Sequence, residues 1–192
     1  MKVIKVFFIF LLVAAVVVSC KEEAMPKPEA ALRLDYPLPV YINTVLGGCP
    51  FSMEINKAAV ADQKGNCAYN VNYSSMNATV FLTYKEVDGN IDSLLMDAQK
   101  LTYEHAVKAD GIIDQPFIND DENVYGMFYR ISGDAASQSQ FYVTDSVRHF
   151  LTGSLYFKTK PNYDSILPAA AYLENDIRKM MESVRWIDKE VK

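Results

Sequence analysis

The sequence predicts an α+β domain in which an antiparallel sheet is packed by two helices, and three observations carry that prediction. Between Gln138 and Lys158, Ser139, Phe141 and Val143 alternate with Gln140, Tyr142 and Thr144, and a second run from His149 places Leu151, Leu155 and Phe157 on one face. Period-two alternation of this kind reads as a half-buried antiparallel hairpin, the centre of the fold. Two further segments have helical spacing: Leu94, Leu95, Ala98, Leu101 and Ala106, then Ile166, Leu173, Ile177, Met181 and Val184. Finally, the order of strands, a helix, three more strands and a terminal helix suits a layered α+β arrangement rather than alternating βαβ units.

Taken from its start, the chain first carries an address. Lys2 and Lys5 precede an apolar run from Val6 to Val18, shorter than the roughly 20 residues a bilayer-spanning helix needs. It reads as the apolar region of a signal peptide. Val17-Val18-Ser19-Cys20 resembles the bacterial lipobox. There, small residues admit the peptidase, and the cysteine thiol is diacylglycerated before becoming the acylated N-terminus, with palmitate as the expected acyl chain. Several acyl chains anchor a protein stably where a single one binds marginally. Residues 1–19 are thus the expected signal peptide, 20–48 a lipidated tether and extended arm, and 49–192 a single domain. Cys20-Lys21-Glu22-Glu23 also looks like the lysine and acids that some Bacteroidota use to export lipoproteins to the cell surface. A solvated charged tether explains the same residues, so the periplasmic and surface faces both stay open.

Charge narrows the partners. Of 19 basic side chains, Lys2 and Lys5 leave with the signal, so 17 face 24 acidic ones, a balance of −7. That excludes the basic footprint of a nucleic-acid binder and the polybasic patch of a protein held by anionic lipid. With Cys20 consumed by lipid, Cys49 and Cys67 remain, an even number in an oxidising compartment, which predicts a disulfide. Two buried free thiols are the alternative. The two cysteines together with His105 and His149 give no zinc-ligand spacing, and no metal or other cofactor is expected.

Lys21 to Glu29 is too polar and proline-rich for a core. Leu32 to Pro39 reads as an extended segment along a sheet edge, since proline cannot donate to an interior ladder. Strands are expected at Phe51 to Ile55, Ala68 to Tyr73 and Ala78 to Val87, rich in Tyr, Val and Thr. After the turn Asp88-Gly89-Asn90, Asp92 or Ser93 can cap a first helix running to about Ala109, with Gly111 as its C-terminal cap. Val124 to Ser132 is the next strand. Gly153, on the face of Leu151 and Leu155, predicts either a closely approaching helix or a bulge. Asp164-Ser165 is read as the cap of the last helix, with Pro168 tolerated in a first turn. The order of elements resembles the PsbP-like α/β/α sandwich, a comparison that rests on order alone.

Catalytic motifs are missing: there is no Gly-x-Ser-x-Gly elbow, His-Glu-x-x-His helix, Walker loop or dinucleotide fingerprint. Asp145, Ser146 and His149 could supply a nucleophilic triad only by folding back on one another within one turn. Side-chain to backbone bonding in a polar turn is the simpler account. His105 reads as an exposed helix residue. Asp92-Ser93-Leu94, Asp145-Ser146-Val147 and Asp164-Ser165-Ile166 look like the Asp-Ser-aliphatic signal for O-glycosylation in the Bacteroidota periplasm, and helix capping explains the first and third without a sugar.

Cys49-Pro50-Phe51-Ser52, Tyr125-Gly126, Gln140 to Ser146, His149 to Phe157, Pro161-Asn162-Tyr163-Asp164-Ser165 and Trp186 together resemble the gliding-motility lipoprotein GldD family of the Bacteroidota. The likeness spans essentially the whole mature chain, with departures at Leu32, where an aromatic is usual, and Thr152, where a basic residue is common. It implies a non-enzymatic lipoprotein of the cell envelope, an assembly or scaffolding component of the gliding-motility and type IX protein secretion machinery, with other envelope lipoproteins as partners. A surface lipoprotein binding a small ligand or glycan is the competing function class, and a hydrolase using Ser146 and His149 the most distant. Thr144, Asp145 and Ser146, at the tip of a rigid hairpin and capping no helix, form the candidate partner surface. Replacing Asp145 and Ser146 is therefore expected to weaken partner capture and leave stability alone.

Overall fold

A computed structural model describes residues 36–104, 108–158 and 163–187. Cys20, the expected signal peptide and most of the tether lie outside these residues, as do His105 and the Pro161-Asn162 part of the last turn. Ten strands and two helices follow one another as β1 (Tyr41–Val45), β2 (Phe51–Asn56), β3 (Val60–Gly65), β4 (Ala68–Tyr73), β5 (Ala78–Glu86), α1 (Ile91–Glu104), β6 (Ala109–Asn119), β7 (Val124–Gly133), β8 (Ser137–Thr144), β9 (His149–Phe157), α2 (Tyr163–Glu182) and β10 (Arg185–Trp186). Every pairing is antiparallel. Seven strands form one sheet in the order β3-β4-β5-β9-β8-β7-β6, and β1, β2 and β10 form a small second sheet. The fold is the predicted α+β class, and the predicted hairpin β8-β9 sits in the middle of the large sheet.

Alternation along the central strands separates two cores. Phe141 and Val143 of β8, with Leu151 and Leu155 of β9, pack into a cluster with Phe51 and Met53 of β2 and Leu173, Ile177 and Met180 of α2. Their neighbours Tyr142 and Phe150 join Val87, Tyr129 and Leu94 of α1 in a second cluster. Because successive side chains of a strand point to opposite faces, α2 and the small sheet cover one face of the large sheet and α1 covers the other. This burial on both sides corrects the half-buried hairpin: all eight residues of β8 are buried. Its polar members are bonded in part: Gln138 Nε2 donates to the Ala135 carbonyl at 2.9 Å, and one end of the Gln140 carboxamide meets the Thr102 hydroxyl of α1 at 3.0 Å.

Several local expectations change. Gly153 neither admits a helix nor marks a bulge. It pairs in regular register with Phe141, whose ring lies over it, so that a Cβ there would fall 2.1 Å from Phe141 Cε1. An aromatic ring thus fills the space the missing side chain leaves. Helix α1 begins at Ile91, with the Leu94 N–H donating to the Asn90 carbonyl, so Asp92 and Ser93 lie inside it. Gly111 is no helix cap: it lies in β6, beside a register shift between Ala109 and Gly111. Similarly, α2 begins at Tyr163, and its first N–H donates to Asp134 Oδ1 at 2.9 Å, so Asp164 and Ser165 belong to the first turn. Four strands were not expected, β1, β3, β6 and β10, and each is at the end of a sheet.

The arm before Cys49 belongs to the fold from Tyr36 onwards. β1 pairs with β2 over five residues, Tyr36 stacks on Tyr172 with centroids 5.0 Å apart, and the Tyr172 hydroxyl donates to the Pro37 carbonyl. Beneath them Asp176, only 1% exposed, accepts from the Tyr41 hydroxyl at 2.6 Å and from Asn56 Nδ2 at 2.8 Å. A buried carboxylate needs such donors to offset its lost hydration. The Tyr41 phenol is pushed well above its usual range, first by burial and then by its bond to this carboxylate. It therefore remains a donor at physiological pH.

Candidate functional site

The predicted surface at the β8-β9 turn stands where both sheets and the disulfide meet. Cys49 and Cys67 are joined, with Cα atoms 5.6 Å apart. Because Cys49 precedes β2 and Cys67 precedes β4, the bridge ties the small sheet to the large one, rather than two strands of one sheet. Cys67 has a left-handed backbone with φ of 49°, and its carbonyl accepts from the N–H of Tyr84.

The turn itself is built by its own side chains. Asp145 Oδ1 accepts the backbone N–H groups of Val147, Arg148 and His149 at 3.0, 2.8 and 2.8 Å. Burial pushes this carboxyl upwards, but the three N–H donors together outweigh it and hold Asp145 below the usual carboxylate range. Thr144, 4% exposed, donates its hydroxyl to the His149 carbonyl and accepts the N–H of Ser146. Ser146 takes φ of 66°, the left-handed conformation that closes the turn. The candidate surface therefore shrinks. Thr144 is interior, Asp145 is a structural acceptor, and what faces solvent is Ser146, Arg148 and Val147, the last 68% exposed.

Behind the turn, His149 is 6% exposed and fixed on two sides. Its Nδ1 lies 2.8 Å from the Tyr84 hydroxyl, and its ring stacks on Trp186 at 4.9 Å with 9° between planes. The Tyr84 phenol is pushed up to about 12, first by burial and then by the carboxylates of Glu86 and Asp145. Trp186 is held in turn by pairing with Phe51 and by donating its indole N–H to the Asn123 carbonyl at 3.0 Å. A triad needs a carboxylate on the imidazole and the imidazole on the serine. Here Asp145 takes the backbone N–H of His149 and the ring Nδ1 meets Tyr84, so that relay is not assembled.

Clefts of about 640 and 370 Å³ flank the turn and share Arg148 and His149. The larger is lined by Gly47, Gly48, Cys67, Lys85 and Glu86 among others, the smaller by Asp121, Glu122, Asn123, Asp145 and Trp186. Among the described residues no cluster of three or more His, Cys, Asp or Glu side chains could hold a metal ion. The buried Asp176 cluster was missed from sequence. Its signal was an acidic residue on the apolar stripe of the last helix, between Leu173 and Ile177.

Fold and site define a disulfide-braced α+β domain with a self-closed polar turn at the meeting point of its two sheets. A family model described as gliding motility lipoprotein GldD matches residues 21–186, and the chain belongs to that family. No curated protein matches it. Membership makes it a lipoprotein of the gliding-motility class, anchored to a membrane of the cell envelope. No helix among the described residues is long and apolar enough to cross a membrane.

Proposed function

We propose that this chain is a non-enzymatic assembly or scaffolding lipoprotein that works with other envelope lipoproteins in gliding motility and type IX protein secretion. The observation that carries the proposal is the family match over residues 21–186. Support comes also from the turn, where Asp145 and His149 are committed to backbone, phenol and indole contacts rather than to a relay. In this reading the signal peptide is removed before Cys20, whose lipid holds the chain to the membrane, and residues 20–48 lead into the domain. The partner contact lies on Ser146, Val147 and Arg148, the solvent-facing tip of a turn too well bonded to collapse on its own.

Deletion in a host that has type IX secretion tests the role: secretion, partner-lipoprotein abundance and colony spreading should all fall, and unchanged levels of all three reject it. Replacing Val147 and Ser146 with Lys and Ala tests the surface, since co-purification of envelope lipoproteins should drop with the unfolding midpoint unchanged. Cys20→Ala should yield a chain without acyl mass. Detergent partitioning like that of the unaltered protein would contradict the anchor.

A further inference from the structure

On the face of the large sheet that carries α1, the helix packs over Tyr129, Tyr142 and Phe150 of β7, β8 and β9, with Ile112 of β6 beside them. Beside α1 a groove of about 490 Å³ remains, lined by Phe81 and Thr83 of β5, Leu101 of α1, and Thr152, Ser154 and Tyr156 of β9. None of these six side chains is charged, in a chain whose formal charge is −5. Phe81 is 42% exposed and meets the ring of Tyr156 edge-on at 5.4 Å. The register puts Thr83 beside Thr152, and Phe81 beside Ser154 and Asn70, so hydroxyl and amide groups border the aromatic pair.

A second, smaller space shares one wall with the groove. Leu101, Thr152 and Ser154 also line a void of about 10 Å³ beneath α1, against Gln140. That side chain is more than nine-tenths buried, and Nε2 of its carboxamide has no hydrogen-bond partner among the described residues. Its other end meets the Thr102 hydroxyl, which also lies 3.1 Å from the Ala98 carbonyl. A hydroxyl has one proton and cannot serve both carbonyls. Whichever way the carboxamide is turned, one of its polar ends stays unsatisfied. A buried polar group in that state is destabilising by about 1–3 kcal/mol, and a hydroxyl, donor and acceptor at once, would satisfy either orientation.

From these features we infer that the groove is a binding site for a neutral saccharide. A pyranose presents a C–H face to an aromatic ring and hydroxyls around its rim, which matches Phe81 and Tyr156 flanked by Thr83, Thr152 and Ser154. One sugar hydroxyl enters the void and pairs with Gln140. Among the described residues lining the groove there is no cation for a phosphate-bearing ligand, and an apolar partner helix would find two hydroxyl-bearing threonines and a serine where it needs aliphatic contacts. The site gives the ligand- or glycan-binding class expected from the sequence a definite location. It is independent of the scaffolding role, so either can fail alone.

The test uses the full lipidated chain in detergent, with cellobiose and chitobiose as probes and saturation-transfer NMR as the readout. Saturable binding at millimolar concentration is expected for at least one disaccharide. Phe81→Ala, at a half-exposed position, should weaken it about tenfold or more. Gln140→Leu should weaken binding while leaving the unfolding midpoint equal or higher, because it removes the unsatisfied group. Absence of saturable binding by both probes overturns the proposal, as does binding that Phe81→Ala leaves unchanged. If Gln140→Leu raises the midpoint but keeps full binding, the void holds a water only and the assignment of Gln140 fails.

Discussion

Asp145→Ala removes one carboxylate oxygen that gathers three backbone N–H groups. Each bond to a charged acceptor is worth about 1.5–3 kcal/mol net, but the three are not additive. The N–H groups of Val147 and Arg148 are exposed and water replaces their partner, whereas that of His149 is partly buried. The expected loss is therefore about 2 kcal/mol, that of one such bond, or about 4–8 °C in melting temperature for a domain of this size. Asp145→Asn, which keeps an acceptor oxygen without the charge, should lose less. The pH dependence has a definite sign. The folded carboxyl is held below its usual range, so its stabilisation is present above the unfolded value of about 3.9 and disappears as the pH falls through the lower folded value. Urea unfolding of the protein and both variants between neutral and strongly acidic pH reads this directly. A midpoint for Asp145→Ala equal to the unaltered protein at neutral pH would refute the reasoning, and so would a gap between the protein and Asp145→Asn that stays constant into strong acid.

Reducing the Cys49–Cys67 bridge, which closes an 18-residue separation, should cost about 3 kcal/mol in the chain-entropy account; the urea midpoint with and without reductant checks it, and Cys49→Ser should abolish the reductant effect. Asp176→Ala should cost about 3 kcal/mol or more, since it strands the buried donors of Tyr41 and Asn56, and calorimetry should show Asp176→Asn to be milder. Gly153→Ala drives a Cβ into the buried Phe141 ring, an overpacking penalty of about 1–3 kcal/mol. Combining it with Phe141→Leu should recover part of the loss, and strict additivity in that double-mutant cycle would deny the contact.

Strands in the interior of a sheet were legible, because Val, Tyr, Phe and Leu recur along them at the spacing of a packed face. Phe51–Asn56, Ala68–Tyr73 and His149–Phe157 lie within a residue of their expected bounds. The edge strands were not. All six residues of β3 are exposed, and β6 carries Asp110, Gly111, Asp114 and Pro116, so neither has an apolar period to read. Pro116 is compatible with β6 because an edge strand can spare one donor. At the site, the Asp-Ser dipeptide announced a turn. That Asp145 would close that turn on itself, and that Thr144 would face inward, depended on the exact register of β8 on β9. Gly153 was read in the right place for the wrong neighbour, since what fills its space comes from across the ladder rather than from a helix.

The clasp on Asp176 ties the first two strands of the domain to its last helix. The described chain begins at Tyr36. It meets the stack on Tyr172 first, then the bond from Tyr41 to Asp176, and then the β1 ladder. The central sheet, the disulfide and the β8-β9 turn lie beyond these attachments. Releasing β1 would free five residues of extended chain, at roughly 3.3 Å each, while the seven-stranded sheet keeps its own ladder.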